Sequence, residues 1–148
     1  MLMMSSIYYF IGIFILMFVL SQIVNFNRIF NLIEWLDKFE KIKKKKPEKA
    51  DFRSEDDLNL FFIRKTLLPV EGFWIIFGFI TSNWFIFILM IIYGKIIGFI
   101  FNKIKYSIIS KYFYLHFFIL KSILYGFMII NHFHLKLDLY KIFLDMIK

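Results

Sequence analysis

The feature that most constrains this chain is an uncharged stretch of twenty-one residues, from Phe73 to Tyr93. At about 1.5 Å per residue, a helix of this length crosses a hydrocarbon layer of about 30 Å. A second uncharged stretch runs from Ile7 to Phe26, and a third, from Tyr112 to Ile130, is interrupted by Lys121. We therefore predict an all-α integral membrane protein with about three transmembrane helices, at 7–26, 73–93 and 112–130.

Composition supports one polytopic membrane domain spanning 1–148. Hydrophobic residues make up 60% of the chain, which is too high for a soluble domain of this size. Ile and Phe dominate the apolar residues and Lys outnumbers Arg. Because their codons are rich in A and T, part of this bias reflects an AT-rich genome. Runs of Phe and Lys are therefore not interpreted as functional motifs.

The first apolar stretch is interpreted as a retained span rather than a cleaved signal peptide. The residues before it, MLMMSS, contain no Lys or Arg. The apolar run is longer than the 7–15 residues of a typical signal sequence, and no small-x-small cleavage site follows it.

The connection 27–69 is basic and partly amphipathic. Apolar residues recur at helical spacing over 27–45, and Glu34, Asp37 and Glu40 each precede a Lys by four residues, the favourable order for helix ion pairs. This pattern predicts a helix. Its apolar face could lie on lipid headgroups, pack on a partner or cover the same chain. A charged linker follows at 43–57, and Pro47 within it breaks the helix.

Three further helical segments are expected outside the spans. Ser54 and Asp57 resemble a capping box, which predicts a short helix that runs towards Pro69. The segment 94–111 carries four Lys and no acid, so we expect it to lie at the membrane interface. The C-terminal piece 131–148 alternates apolar and charged residues and predicts a surface helix.

The net charge of +8 is assigned to the membrane rather than to nucleic acid. Basic residues beside spans hold loops on the inner side and attract anionic headgroups, whereas the motifs that read nucleic-acid grooves are absent. Eleven Lys and Arg lie in 27–69, four in 94–111 and three in 131–148. Three spans with the N-terminus outside place fourteen of these inside against four outside. We expect a bacterial or organellar inner membrane, with the 27–69 loop inside.

Lys121 is the sharpest candidate residue, because an ionisable group at mid-membrane is costly unless it meets a partner or water. If the second and third spans pack antiparallel, Lys121 lies level with Ser82 and Asn83. These three residues form the predicted intramembrane polar contact, and Asn83→Leu should then be more damaging than Lys121→Met. Two alternatives stay open. The stretch 112–130 could lie on the membrane with Lys121 in water, or Lys121 could serve transport or a proton relay.

The other polar residues give weaker indications of a functional site. Glu71 could pair with Lys65 or line a mouth, but an interfacial carboxylate among headgroups is favoured. His132 and His134 are two residues apart and diverge on a helix, so we predict no metal site. The sequence contains no nucleophile elbow and no phosphate-binding loop, and we predict no catalytic residue and no cofactor.

The expected function is non-catalytic and depends on helix–helix contacts. The chain would be an accessory or structural subunit of a membrane complex, or a small immunity or exclusion factor, with a membrane-protein partner or as a homo-oligomer. A small pore-former or transporter that uses Ser82, Asn83 and Lys121 is the alternative. An enzyme acting on lipid or on another membrane protein is a third class, but the spacing supplies no catalytic cluster.

Overall fold

The computed structural model describes residues 2–81, 83–104 and 107–148, and within these ranges it is all-helical, with no strand. Six α-helices make up the fold. In chain order they are α1 (Leu2–Val24), α2 (Phe26–Lys43), α3 (Glu55–Phe77), α4 (Trp84–Ile104), α5 (Ile108–Ile130) and α6 (Leu139–Ile147). The all-helical prediction is confirmed.

The helix predicted over 73–93 is interrupted in the structure, so the prediction of one continuous helix there is wrong. α3 ends at Phe77, a single 3₁₀ turn covers Gly78–Ile80, and α4 begins at Trp84. The Thr81 hydroxyl donates to the Gly78 carbonyl at 2.8 Å. Short polar side chains that bond to nearby backbone favour turns over continued helix. Hydropathy alone does not register this turn, because its residues carry no charge.

Three helices are long and apolar enough to cross a membrane: Ser6–Val24, Trp84–Ile104 and Ile108–Leu135. The predicted number of span-length helices is confirmed, and the first and third coincide with the predicted stretches. The middle one is shifted towards the C-terminus. The segment 94–111, expected at the interface, instead completes α4 and begins α5.

The amphipathic helix after the first span is confirmed as α2. Two of its three predicted ion pairs form at i,i+4, with Lys38 Nζ 2.5 Å from Glu34 and Lys41 Nζ 2.5 Å from Asp37. Among the described residues no pair between Glu40 and Lys44 is found, since Lys44 is the residue that ends α2. The Ser54 side chain accepts from the Asp57 amide at 3.2 Å, so the predicted cap starts α3. This cap satisfies one of the free amides at the start of α3.

α3 continues through Pro69, where a helix end was expected. Proline removes one backbone donor and crowds the preceding turn. Here Pro69 lies on an exposed face of α3, and the helix persists to Phe77. Neighbouring helices make such interruptions tolerable in apolar bundles. The continuation carries Glu71 and Trp74 into the interior, where both are buried.

α2 is fastened to the first turn of α3 by charge. Arg28 lies 3.0 Å from Asp56 and 3.2 Å from Asp57. Hydrogen bonds to these two carboxylates raise the pKa of the Arg28 guanidinium, which therefore stays charged. Trp35 of α2 packs on Phe52 of the linker, with ring centroids 5.2 Å apart. Charge and ring packing thus hold α2, the linker and the start of α3 together.

α1 and α3 run antiparallel. Tyr8 donates its hydroxyl to the Trp74 carbonyl, Trp74 Nε1 donates to the Tyr8 carbonyl at 3.1 Å, and the two rings stack 5.2 Å apart. Towards the other end of α1, Arg64 donates to Gln22 Oε1. Gly12 lies beneath the Trp74 ring and makes this close approach possible.

α5 packs against both α1 and α4. Aromatic contacts show which helix ends lie beside its first turns. Phe118 of α5 meets Phe26 at 6.1 Å between centroids, and Phe101 of α4 meets Phe30 of α2 at 6.4 Å. Lys111 lies 5.8 Å over the Phe30 ring. The connection between α4 and α5 therefore lies at the same end of the bundle as α2.

The opposite end of the bundle holds both chain termini. The His132 ring stacks on Tyr9 at 4.2 Å, which brings the end of α5 beside the start of α1. Three helices that alternate in direction would place Tyr9 and His132 at opposite ends of the bundle, whereas here they lie at the same end. The additional helix that reverses the chain direction is α3, which runs the length of the bundle between α2 and the Gly78 turn.

Two glycines are predicted to be irreplaceable for steric reasons. A Cβ at Gly12 would lie 2.6 Å from Trp74 Cζ2, and one at Gly78 would lie 2.4 Å from the Phe87 ring. Both rings are buried, so Gly12→Ala and Gly78→Ala should each lower the free energy of unfolding by about 1–3 kcal/mol. Thermal unfolding in detergent micelles measures this loss.

Gly72→Ala is the matched control for these two variants. A Cβ at Gly72 meets nothing within 4 Å, and alanine is the better helix former. Its unfolding midpoint should equal or exceed that of the wild type. Equal losses in all three variants would contradict the assigned packing of Trp74 and Phe87.

Candidate functional site

A buried ion pair between α3 and α5 is the centre of the candidate site. Lys121 Nζ lies 2.6 Å from Glu71 Oε1, and the two side chains are only 7% and 4% exposed. Buried charges are stable only when they are paired and hydrogen-bonded. Each charge here therefore depends on the other helix for its partner.

Three aromatic residues of α5 complete the surroundings of the pair. Tyr125, one turn beyond Lys121, donates its hydroxyl to Glu71 Oε1 at 2.6 Å. Lys121 Nζ also lies 5.2 Å from the Phe117 ring centroid and 5.3 Å from that of Phe118. Ring faces attract cations, most strongly where water is excluded. α5 thus supplies the base, a hydroxyl donor and two ring faces, and α3 supplies the carboxylate.

The predicted contact between Lys121 and Asn83 is not formed, which corrects the sequence interpretation. Glu71 is also not solvated among headgroups and does not pair with Lys65, because α3 extends past Pro69 and carries Glu71 inward. A carboxylate neutralises an ammonium more fully than an amide carbonyl can. Lys121 therefore pairs with the buried acid.

Asn83 belongs to a separate polar network at the end of the bundle that holds both termini. Its Nδ2 donates to Tyr9 Oη at 2.7 Å and to the Met128 carbonyl at 3.2 Å. Its Oδ1 accepts from Asn131 Nδ2 at 2.6 Å. Tyr9 in turn donates to Thr81 Oγ1 at 2.8 Å. This network joins α1, the turn before α4 and the end of α5.

Asn131 extends the network to the C-terminal segment. Its side chain donates to the Leu137 carbonyl at 3.1 Å and accepts from the Leu137 amide at 2.8 Å. Asp138 then accepts from the Lys141 amide at 3.1 Å and begins α6. The position of the predicted surface helix is therefore set by Asn131.

Of the three predicted site residues, Lys121 and Asn83 are both buried, in different networks. Ser82 lies outside the described residues. Sequence reasoning missed Tyr9, Tyr125 and Asn131 as members of these networks. Tyr125 follows Lys121 by four residues, a spacing that does indicate a shared helix face.

A crevice opens beside the ion pair between α3, α4 and α5. It measures about 250 Å³. Its lining combines the two charged residues with apolar side chains, among them Glu71, Lys121, Leu68, Ile75, Met90 and Phe117. A second cavity of about 330 Å³, between α4 and α5, also reaches Lys121. The ion pair is thus buried from bulk solvent yet adjoins apolar space.

His132 takes part in packing at the end of the bundle. His132 stacks on Tyr9, and Phe133 contacts Phe10 at 6.1 Å between ring centroids. Asp138, four residues after His134, caps α6 by accepting from the Lys141 amide. Among residues 2–81, 83–104 and 107–148, no three side chains are grouped as metal ligands would be.

Comparison with protein families, with curated proteins and with solved structures found no match to this chain. The site must therefore be interpreted from its own chemistry. Its two buried networks join helices through groups that satisfy one another, and one of them adjoins an open apolar crevice.

The ion pair yields a prediction about stability. Lys121→Met leaves Glu71 as a buried carboxylate without its counter-ion, so we expect a loss of about 3–5 kcal/mol in the free energy of unfolding. This reverses the expectation that Lys121→Met would be mild. The double variant Glu71→Leu/Lys121→Met buries no charge and should recover most of the loss. Unfolding in mixed micelles provides the measurement.

Lys41→Met is the matched control, since Lys41 pairs with Asp37 at 2.5 Å on the surface of α2. Exposed pairs of this kind contribute at most about 0.5 kcal/mol. If the double variant is no more stable than Lys121→Met alone, the two side chains do not form the pair described.

Proposed function

We propose that this chain is a non-catalytic multi-pass membrane protein that acts through lateral helix–helix contacts. It would serve as an accessory or structural subunit of a membrane complex, or as a small immunity or exclusion factor. The observation that carries the proposal is the contrast between interior and exterior. Buried polar groups are satisfied inside the bundle, Glu71 by Lys121 and Asn83 by Asn131, while the outer helix faces are apolar.

The outer face of α1 is a continuous apolar stripe. Ile7, Phe10, Phe14 and Met17 follow one another at helical spacing and are 55%, 60%, 71% and 62% exposed. A contiguous exposed apolar surface of this kind marks contact with lipid or with another protein. Since the interior holds α1 in place through Tyr8 and Tyr9, the stripe is a fixed surface rather than a loose one.

The helix ends support a sidedness for this arrangement. Lys103 and Lys111 lie at the end of the bundle that holds α2, so these two residues join the basic residues of the 27–69 connection. The three of 131–148 lie at the other end. Basic residues accumulate on the inner side, so in this proposal the 27–69 connection lies inside and both termini lie outside. In this proposal α3 is a fourth crossing whose charges are shielded by α1 and α5.

This sidedness predicts labelling from opposite faces of the membrane. The chain has no native Cys, so single variants can be labelled without background. Met146→Cys on α6 should react with a membrane-impermeant thiol reagent added outside, and Lys46→Cys should react only after permeabilisation. Three crossings would place both on the same side, so identical labelling of the two variants would contradict the four-crossing arrangement.

The lateral-contact proposal is tested by photo-crosslinking in intact cells. A photoreactive side chain at Phe14 should give one discrete adduct with another membrane protein, because Phe14 is the most exposed position of the stripe. The same side chain at Met146 on α6, which is 79% exposed, serves as the control and should not give that adduct. Adducts with lipid alone at Phe14 would overturn the proposal.

A small pore-former or transporter is the second candidate, and the crevice beside Glu71 and Lys121 favours it. An acid and a base that face apolar space could exchange partners with a polar solute. Flux into proteoliposomes that is abolished in the double variant Glu71→Leu/Lys121→Met would support this function. Flux into proteoliposomes that equals the flux into empty vesicles would exclude it.

A further inference from the structure

The groove between α2 and α3 holds two basic side chains beside apolar ones, and their charge is not compensated there. It measures about 250 Å³ and is lined by Leu32, Ile33, Leu36, Phe61 and Leu68 together with Arg64 and Lys65. No acidic side chain lines it. A larger neighbouring cavity, of about 750 Å³, also includes Lys65 but is lined by Glu40 and Glu48 as well. In the α3–α5 crevice Glu71 compensates Lys121.

Arg64 lacks an acidic partner, and its neighbour Gln22 has one hydrogen-bond donor without an acceptor. Arg64 donates to Gln22 Oε1, and no acidic partner for it is found among the described residues. The Gln22 side chain is buried, with 1% exposure, and its Nε2 has no hydrogen-bond partner in that part of the chain. Buried donors of this kind normally meet an acceptor. The same carboxamide thus holds an unused donor beside a guanidinium.

We propose that the α2–α3 groove binds an anionic phospholipid. Its phosphate would be held by Arg64 and Lys65, and one acyl chain would lie against Leu32, Leu36 and Leu68. The volume is below the roughly 300–1,000 Å³ typical of pockets for whole small molecules, so it suits a chain segment. Arginine offers several donors in a planar fork, which matches phosphate oxygens.

The location of the groove agrees with this ligand. Arg64 and Lys65 separate the charged segment 43–57 from the apolar second half of α3. That boundary corresponds to the headgroup level of the inner leaflet, which is the leaflet rich in anionic lipid. The inference therefore rests on the membrane embedding proposed above, but not on the α1 stripe or on any protein partner.

The test measures thermal unfolding of the full chain in micelles titrated with phosphatidylglycerol, phosphatidylcholine or inorganic phosphate. Phosphatidylglycerol should raise the unfolding temperature in a saturable way, because a ligand bound to the native state stabilises it. Arg64→Gln/Lys65→Gln should weaken the apparent affinity about thirtyfold, since each basic contact near a headgroup contributes a factor of about five.

Two further variants separate this site from general charge and from misfolding. Lys43→Gln/Lys46→Gln removes the same charge outside the groove and should retain the wild-type affinity. Arg64→Lys/Lys65→Arg keeps both charges and should bind within about fivefold of the wild type. Retention in both variants, with loss only in the Gln pair at 64 and 65, supports the site.

Three results would overturn the inference. They are equal losses in the two Gln double variants, equal stabilisation by phosphatidylcholine, and full stabilisation by inorganic phosphate, which would make the ligand a free anion. Crosslinking at Phe14 is independent of these readouts. Lost lipid preference with intact crosslinks would therefore remove only the lipid site, and the converse would remove only the lateral-contact proposal.

Discussion

The ion pair between Glu71 and Lys121 joins α3 to α5, the helix that packs on both α1 and α4. Separating the two side chains would leave each as an isolated charge in apolar surroundings, which costs far more than the pair contributes when formed. α3 therefore cannot shift relative to α5 by a helical turn. Because Trp74 lies one turn beyond Glu71, the same constraint sets the stacked contact with Tyr8 and hence the register of α1.

The second polar network acts at the end of the bundle rather than in its middle. Asn83 and Asn131 bond to each other, and through Tyr9 they reach α1. These side chains are matched donors and acceptors, which is what a polar group in an apolar interior requires. Together with the ion pair, they fix four helices at two levels. A bundle fixed in this way presents its outer apolar faces in a constant arrangement, as a protein that works by lateral contact requires.

The charges of α3 explain why counting uncharged stretches in the sequence gives too few helices for the bundle. Arg64, Lys65 and Glu71 interrupt any long hydrophobic window in α3. Each of them has a place in the tertiary structure, beside Gln22, over the Phe61 ring and against Lys121 respectively. A helix whose buried charge is satisfied by a neighbouring helix need not be apolar along its length. With α3 counted, the basic connections lie at one end of the bundle and both termini at the other.

The sequence by itself determined that the chain is helical, that α1 and α5 have the length and apolarity of spans, and that α2 is amphipathic with its ion pairs and the Ser54 cap of α3. These features depend on residues three or four apart, so local spacing is sufficient to predict them. It also singled out Lys121 and Asn83 as polar residues in apolar surroundings. Only the tertiary structure decided their partners, because Glu71 is fifty residues from Lys121 in the chain. The same holds for the break between α3 and α4. An uncharged turn has the hydropathy of a span, and it is distinguished from one only when Thr81 and Asn83 bond to groups that folding brings to them.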